Sequence, residues 1–285
     1  MHCGGHGGEH PANPHPADPY TVGMDIPALD PAARRIALVR RPADNLAEGQ
    51  LTHIERVPVD LGLARTQWDG YVAALAAEGW DIVEVEPAPS LPDSVFIEDA
   101  VISFGDVAVL TSPGAPTRRD ETSGAEAAVR SLGVPVHHLV LPGTLDGGDV
   151  LKIGRDVYVG RSLRTNDAGI DQLRDILAPL GYTVVPVPIS KVLHLKSAVT
   201  ALPDGTVIGY PPLVDDSTVF EPFLPVPEEY GTAVVVLAQD AVLMSSAAPL
   251  SAALFAARGY RVVTVDISEF EKLEGCVTCL SVRIR

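Results

Sequence analysis

The chain has 285 residues, with 21 Lys and Arg against 37 Asp and Glu, a formal net charge of −16. That field opposes binding to phosphate backbones and anionic lipid surfaces, so neither nucleic acid nor a membrane is an expected partner. A hydrophobic content of 46% suits a sizeable core, no apolar run reaches the ~18 residues of a membrane span, and Cys3, Cys276 and Cys279 are too few for a disulfide framework, which suits a reducing cytoplasm.

In chain order, residues 1–33 read as a tail rich in His, Gly and Pro, holding four of the eight histidines and no apolar signal core. Residues 34–285 read as one domain. In LGLARTQWDGYVAALAAEG, Leu61, Ala64, Trp68, Tyr71, Val72 and Leu75 recur at helical spacing, and Gly79 supplies a left-handed stop before the strand-like WDIVEVE. The same helix-to-strand junction returns as LGVPVHHLV, LGYTVVPVPI and RGYRVVTVDI. Between the helices lie paired strand-like runs: VFIEDAVISF with VAVLTS, VLKIG with VYVGR, and AVTAL with TVIGY. These repeats give five units of about fifty residues, each two strands, a helix and a strand, starting near Arg34, Ser94, Asp146, His194 and Asp240. The fourth has a poorly marked helix between Val214 and Glu229. The final TCLSVRIR is left over, and if it completes the first unit the ring closes and brings the unit starts together on an axis.

Those unit starts hold the residues with chemistry to offer. LPDSVFIED carries Asp93, Glu98 and Asp99; as an extended run it places Asp93 and Asp99 on one face and Glu98 on the other. Buried without partners such carboxylates cost several kcal/mol, so either solvent, an arginine or a bound cation must meet them. TLDGGDV flanks a glycine pair with Asp146 and Asp149, but it runs into a strand rather than a helix, which gives a pyrophosphate no helix N-terminus to sit on. VLHLKS sets His194 on a strand beside apolar neighbours. Cys276 and Cys279 form a single C-x-x-C before a β-rich end, a poor setting for a thioredoxin-type dithiol or a structural zinc site, whereas a lone nucleophilic cysteine with a remote histidine is a recognised pairing.

Taken together, LPDSVFIEDA, SPGAPTRR, LDGGDVL, VGRSLRTN, LHLKS and GCVTCLSV resemble the dimethylarginine dimethylaminohydrolase family of the guanidine-modifying superfamily, from about Arg35 to Arg285. Arginine deiminases, the nearest relatives, tend to carry an Arg-Asp pair in place of Glu98-Asp99. The resemblance implies an α/β fold, a single-domain five-bladed α/β propeller. It also implies hydrolysis of methylated arginines without metal or organic cofactor, a small-molecule substrate as the partner, and leaves a homodimer open. It further implies Cys279 as nucleophile, His194 as general acid and base, and Asp146 as the carboxylate orienting His194. Asp93, Glu98 and Asp99 would bind the guanidinium, Arg118 and Arg164 the α-carboxylate, Leu51 would sit on a lid, and Leu273 would offer a backbone carbonyl to the substrate amino group. A second Cys directly after the nucleophile, seen in some relatives, is Leu280 here, and Cys276 has no assigned role.

Overall fold

A computed structural model of the chain describes Met1 and residues 35–285; the expected N-terminal tail lies outside the described residues. Strand β1 (Ile36–Val39), buried along its whole length, leads through helix α1 (Leu61–Ala77) to the parallel strand β2 (Asp81–Glu84). The Asp60 carboxylate caps α1 by accepting from the Leu63 amide at 3.0 Å, and Gly79 ends it at φ +78°, as the sequence spacing requires. The buried face of α1 is Ala64, Gln67, Trp68, Tyr71 and Leu75.

The next units repeat the plan. Antiparallel β3 (Val101–Phe104) and β4 (Val107–Leu110) are followed by α2 (Thr122–Ser131) and β5 (Val136–His138) parallel to β4. Then come β6 (Val150–Ile153), β7 (Asp156–Arg161), α3 (Asp167–Leu177) and β8 (Thr183–Pro188). In the fourth unit, helix α4 (Leu195–Ala198) precedes β9 (Val199–Ala201), β10 (Val207–Gly209) and β11 (Phe223–Pro225). Within the expected Val214–Glu229 span stands a 3-10 turn, Ser217–Val219, after another at Pro211–Leu213; Pro222, Pro225 and Pro227 inside the span lack the amide donors that a helix interior needs. The fifth unit holds β12 (Val234–Ala238), β13 (Ala241–Ser245), α5 (Pro249–Ala257) and β14 (Arg261–Val265). It therefore begins before Asp240, which lies in the hairpin turn between β12 and β13. A short helix α6 (Ser268–Glu271) then leads to β15 (Val282–Ile284).

Strand β15 pairs antiparallel with β1, so the leftover C-terminal segment completes the first sheet and each of the five sheets has three strands. The apolar core shows the ring closing. Buried side chains gather into five clusters, one between each pair of neighbouring sheets, and the cluster joining Ala37 and Val39 to Val235, Leu237 and Leu243 locks the fifth sheet onto the first. This is a five-bladed α/β propeller. The first strand of every blade, β15, β3, β6, β9 and β12, lines the central axis.

Candidate active site

The catalytic candidates precede those axial strands. Ile97–Asp99 is a 3-10 turn rather than the extended run expected from the sequence, so the alternating-face reading of Asp93, Glu98 and Asp99 does not hold. The turn delivers all three carboxylates to buried positions instead. Gly147–Asp149 is a second 3-10 turn, before β6, and packs against the first. His194 is the N-cap of α4 rather than a strand residue. Cys279 closes a tight turn before β15, its amide donating to the Cys276 carbonyl at 3.1 Å and its own carbonyl accepting from the Glu98 amide at 3.2 Å.

His194 is buried between two carboxylates, Nε2 3.2 Å from Asp146 and Nδ1 3.7 Å from Asp99. Burial alone would lower its pKa; the Asp99 charge and then the Asp146 hydrogen bond outweigh it and hold the imidazolium up to about 9. Burial likewise opposes the charge on Asp99, yet His194, Arg118 and the Gly148 amide hold this carboxyl well below the usual carboxylate range. Gly148 is required here: a Cβ at that position would lie 2.5 Å from His194 Nδ1 and 2.8 Å from Asp99 Oδ1.

Arg118 is buried with its donors committed to the protein. Nη1 meets Asp99 at 2.7 Å, Nε and Nη2 meet Glu121, and Nη2 also donates to the Asp93 carbonyl at 3.1 Å. Arg164 is bound more lightly, at 3.3 Å to Asp146 and 3.1 Å to the Gln50 side-chain oxygen. Burial pushes the Asp93 carboxyl up, against the pull of Arg118 and the Gln50 amide.

Leu51 is half-buried against the cluster that holds Leu273 and Cys279, in a segment tethered at both ends. The Gln50 amide donates to Asp93 at 3.1 Å, and the amides of Thr52 and His53 donate to the Glu274 carboxylate at 2.6 and 2.8 Å. Leu273 follows α6 on the side facing Gly49, its Cδ2 3.6 Å from where a Gly49 side chain would begin.

The two thiols lie 3.4 Å apart, sulfur to sulfur, and either could donate to the other. Their hydrogen bond stabilises one thiolate at the expense of the second ionisation: it brings Cys276 down to about 7 and, with burial and the Glu98 and Asp99 charges, pushes Cys279 up.

Asp99, Asp146 and His194 also bring donor atoms within 4.8 Å of one another, a grouping able to hold a metal ion. Here imidazolium and guanidinium groups already supply positive charge to both carboxylates: Arg118 and His194 at Asp99, Arg164 and His194 at Asp146.

The sequence marks Asp149 beside the glycine pair without giving it a role; it is fully buried. Its carboxylate accepts from the Leu195 amide at 2.9 Å and from Ser162 and Thr165 hydroxyls at 2.6 and 2.7 Å, tying the His194 segment to the Arg164 loop. Burial pushes its carboxyl up to about 6. The second aspartate of an otherwise apolar D-G-G-D-V stretch was the available signal. Gln50 and Glu274, by contrast, sit in polar surroundings that give no such hint.

A closed five-blade ring with a thiol, an imidazolium and buried carboxylates at one end of its axis is the architecture of the guanidine-modifying α/β propellers. The arginine deiminase family model matches residues 76–229. The chain is 62% identical over 249 residues to the N(G),N(G)-dimethylarginine dimethylaminohydrolase of Streptomyces coelicolor, covering 87% of this chain and 96% of that protein. Among solved structures, dimethylarginine dimethylaminohydrolase from Pseudomonas aeruginosa, a cysteine-to-serine variant complexed with citrulline, superimposes with a TM-score of 0.81 at 32% identity over 88% of this chain and 100% of that one. An adduct of a dimethylarginine dimethylaminohydrolase with S-methyl-L-thiocitrulline matches equally, with a TM-score of 0.81 at 32% identity over 88% of this chain and 100% of that one. The chain belongs to the dimethylarginine dimethylaminohydrolase family.

Proposed function

We propose that this chain hydrolyses Nω-methylated arginines, asymmetric dimethylarginine and monomethylarginine, to citrulline and dimethylamine or methylamine. The observation that carries the reading is the convergence of Cys279, His194 and the buried Asp93, Glu98 and Asp99 in a chain 62% identical to a protein of that name.

A guanidinium carbon is a resonance-stabilised cation and a weak electrophile, so the site must hold the cation in line with a strong nucleophile. Asp93, Glu98 and Asp99 are the carboxylates for the cation. Arg164 and Leu273, through its backbone carbonyl, take the amino-acid end, and Leu51 covers the bound substrate. Arg118 has its donors on Asp99, Glu121 and the Asp93 carbonyl, which supports a role in holding the guanidinium carboxylates in place more than one on the α-carboxylate.

Before substrate binds, burial and nearby carboxylates keep the Cys279 proton in place. A bound guanidinium offsets those charges and favours loss of the thiol proton to water, leaving a thiolate that attacks the guanidinium carbon. His194, held as imidazolium by Asp99 and Asp146, gives its proton to the leaving amine, and a covalent thiouronium remains. Neutral His194 then takes a proton from water as the oxygen adds to that carbon; the C–S bond breaks, citrulline leaves and the thiol is restored.

Cys279→Ser is expected to lower citrulline formation by at least about 10³-fold, while Cys276→Ser keeps most of it. Equal rates in both variants and the wild type would overturn the mechanism. Steady-state rates on asymmetric dimethylarginine, monomethylarginine and arginine test the substrate class, with arginine expected to be the poorest. Two free, closely spaced thiols support a cytoplasmic setting, where they stay reduced. A homodimer remains part of this reading, checked by light scattering. Among the described residues, no helix is long and apolar enough to cross a membrane.

A further inference from the structure

Behind the site, the central axis opens into a cavity of about 550 Å³ lined by residues of the first strand of every blade. Glu98 forms part of the wall toward the catalytic end, and the hairpin turns at Gly105 and Gly154 lie at the other. Four cationic side chains enter this space, Lys152, Lys196, Arg283 and Arg285, and Glu98 is the one acidic side chain lining it. Glu98 is shared, 2.6 Å from Lys196 and 3.3 Å from Arg283.

The other two cations have no carboxylate partner among the described residues. Lys152 Nζ donates to the Ser103 carbonyl and lies 5.1 Å from the centre of the Phe104 ring. Arg285 donates to the Val236 carbonyl and stacks over Trp80 at 5.0 Å. Lys152 keeps access to solvent, and partial desolvation followed by repulsion from Lys196, Arg283 and Arg285 pushes its ammonium down to about 7. Lys196, Arg283 and Arg285 thus outnumber Glu98 on the axis of a chain whose net charge is −16, and an entering anion would draw the Lys152 proton back. An entering anion offsets this surplus, and the Arg285 fork favours one with several oxygens over a halide.

We propose that this axial cavity is a binding site for a compact oxyanion of the inorganic phosphate type, held by Lys152 and Arg285. It adjoins the substrate site through Glu98 alone and does not rest on the catalytic reading. The volume admits such an ion with several waters, and the hairpin-turn end is its way in.

Calorimetric titration with inorganic phosphate tests the assignment, using the wild type, Lys152→Met, Arg285→Gln and Arg164→Gln. One saturable site per chain is expected, weakened at least about tenfold in Lys152→Met and in Arg285→Gln and unchanged in Arg164→Gln. Circular dichroism and citrulline formation in phosphate-free buffer verify that the first two variants are folded. No saturable binding to the wild type overturns the proposal. So does binding that survives both channel substitutions, or that is lost with Arg164, which would place the anion at the catalytic end.

Discussion

His194 owes its charge to its neighbours, and that makes the protein's pH behaviour specific. An unfolded imidazole titrates near ~6.5, whereas the folded one is held up to about 9. The stability this contributes is complete below pH ~6.5 and is lost as pH rises through about 9. Asp99 has the opposite sign: held low, it contributes fully above ~3.9 and loses that contribution as acid protonates it. Urea midpoints measured across pH should therefore fall at both ends, and His194→Ala should remove the alkaline fall. The rate should decline on the same alkaline limb, since only the imidazolium can protonate the leaving amine. Asp149 acts on His194 through the Leu195 amide, so Asp149→Asn should cut kcat by roughly 10- to 100-fold with little change in KM, and should alter the pH profile. The 3.4 Å between the thiols gives Cys276 a chemical role even where turnover does not need it. Hydrogen peroxide oxidising the lower-pKa, more accessible Cys276 to a sulfenic acid leaves Cys279 placed to displace water and form a disulfide. Dithiothreitol should restore peroxide-treated wild type, and mass spectrometry should find the Cys276–Cys279 bridge there but not in Cys276→Ser.

Among the elements, the 3-10 turns before the axial strands decide the chemistry, and they were the least legible part of the sequence. The apolar periodicity of α1 and the repeated Gly-to-strand junctions marked blades and their order, because burial of one helix face leaves a regular trace. A three-residue turn leaves none: Val95 through Phe104 reads as one strand by composition, yet tertiary contact folds Ile97–Asp99 tightly against the D-G-G-D segment. Candidate residues could be named from residue type and resemblance, while the commitment of Arg118 to Glu121 and Asp99 could not, since it joins side chains across separate turns. The glycine of that second turn gives a direct test. Gly148→Ala forces a methyl group onto His194 and Asp99, and a loss of about 1–3 kcal/mol in stability together with a large fall in kcat is expected from chemical denaturation and steady-state rates. The Leu51 segment should respond differently. Glu274→Ala removes the acceptor for the Thr52 and His53 amides and should raise KM several-fold with kcat nearly unchanged.

At the scale of the molecule, each blade depends on the next, since the apolar clusters lie between sheets rather than within them. Ring closure rests on β15 pairing with β1 and on the cluster between the first and fifth blades. Deleting residues 282–285 should therefore lower the thermal midpoint of the entire domain, not of one part, as read by calorimetry. The closing strand begins three residues after Cys279. A polypeptide that stops short of this segment holds the carboxylates and His194 but lacks both the Cys279 sulfur and the strand that seals the barrel of blades. Chains cut anywhere before Cys279 are therefore expected to form no citrulline, even where part of the ring of blades folds.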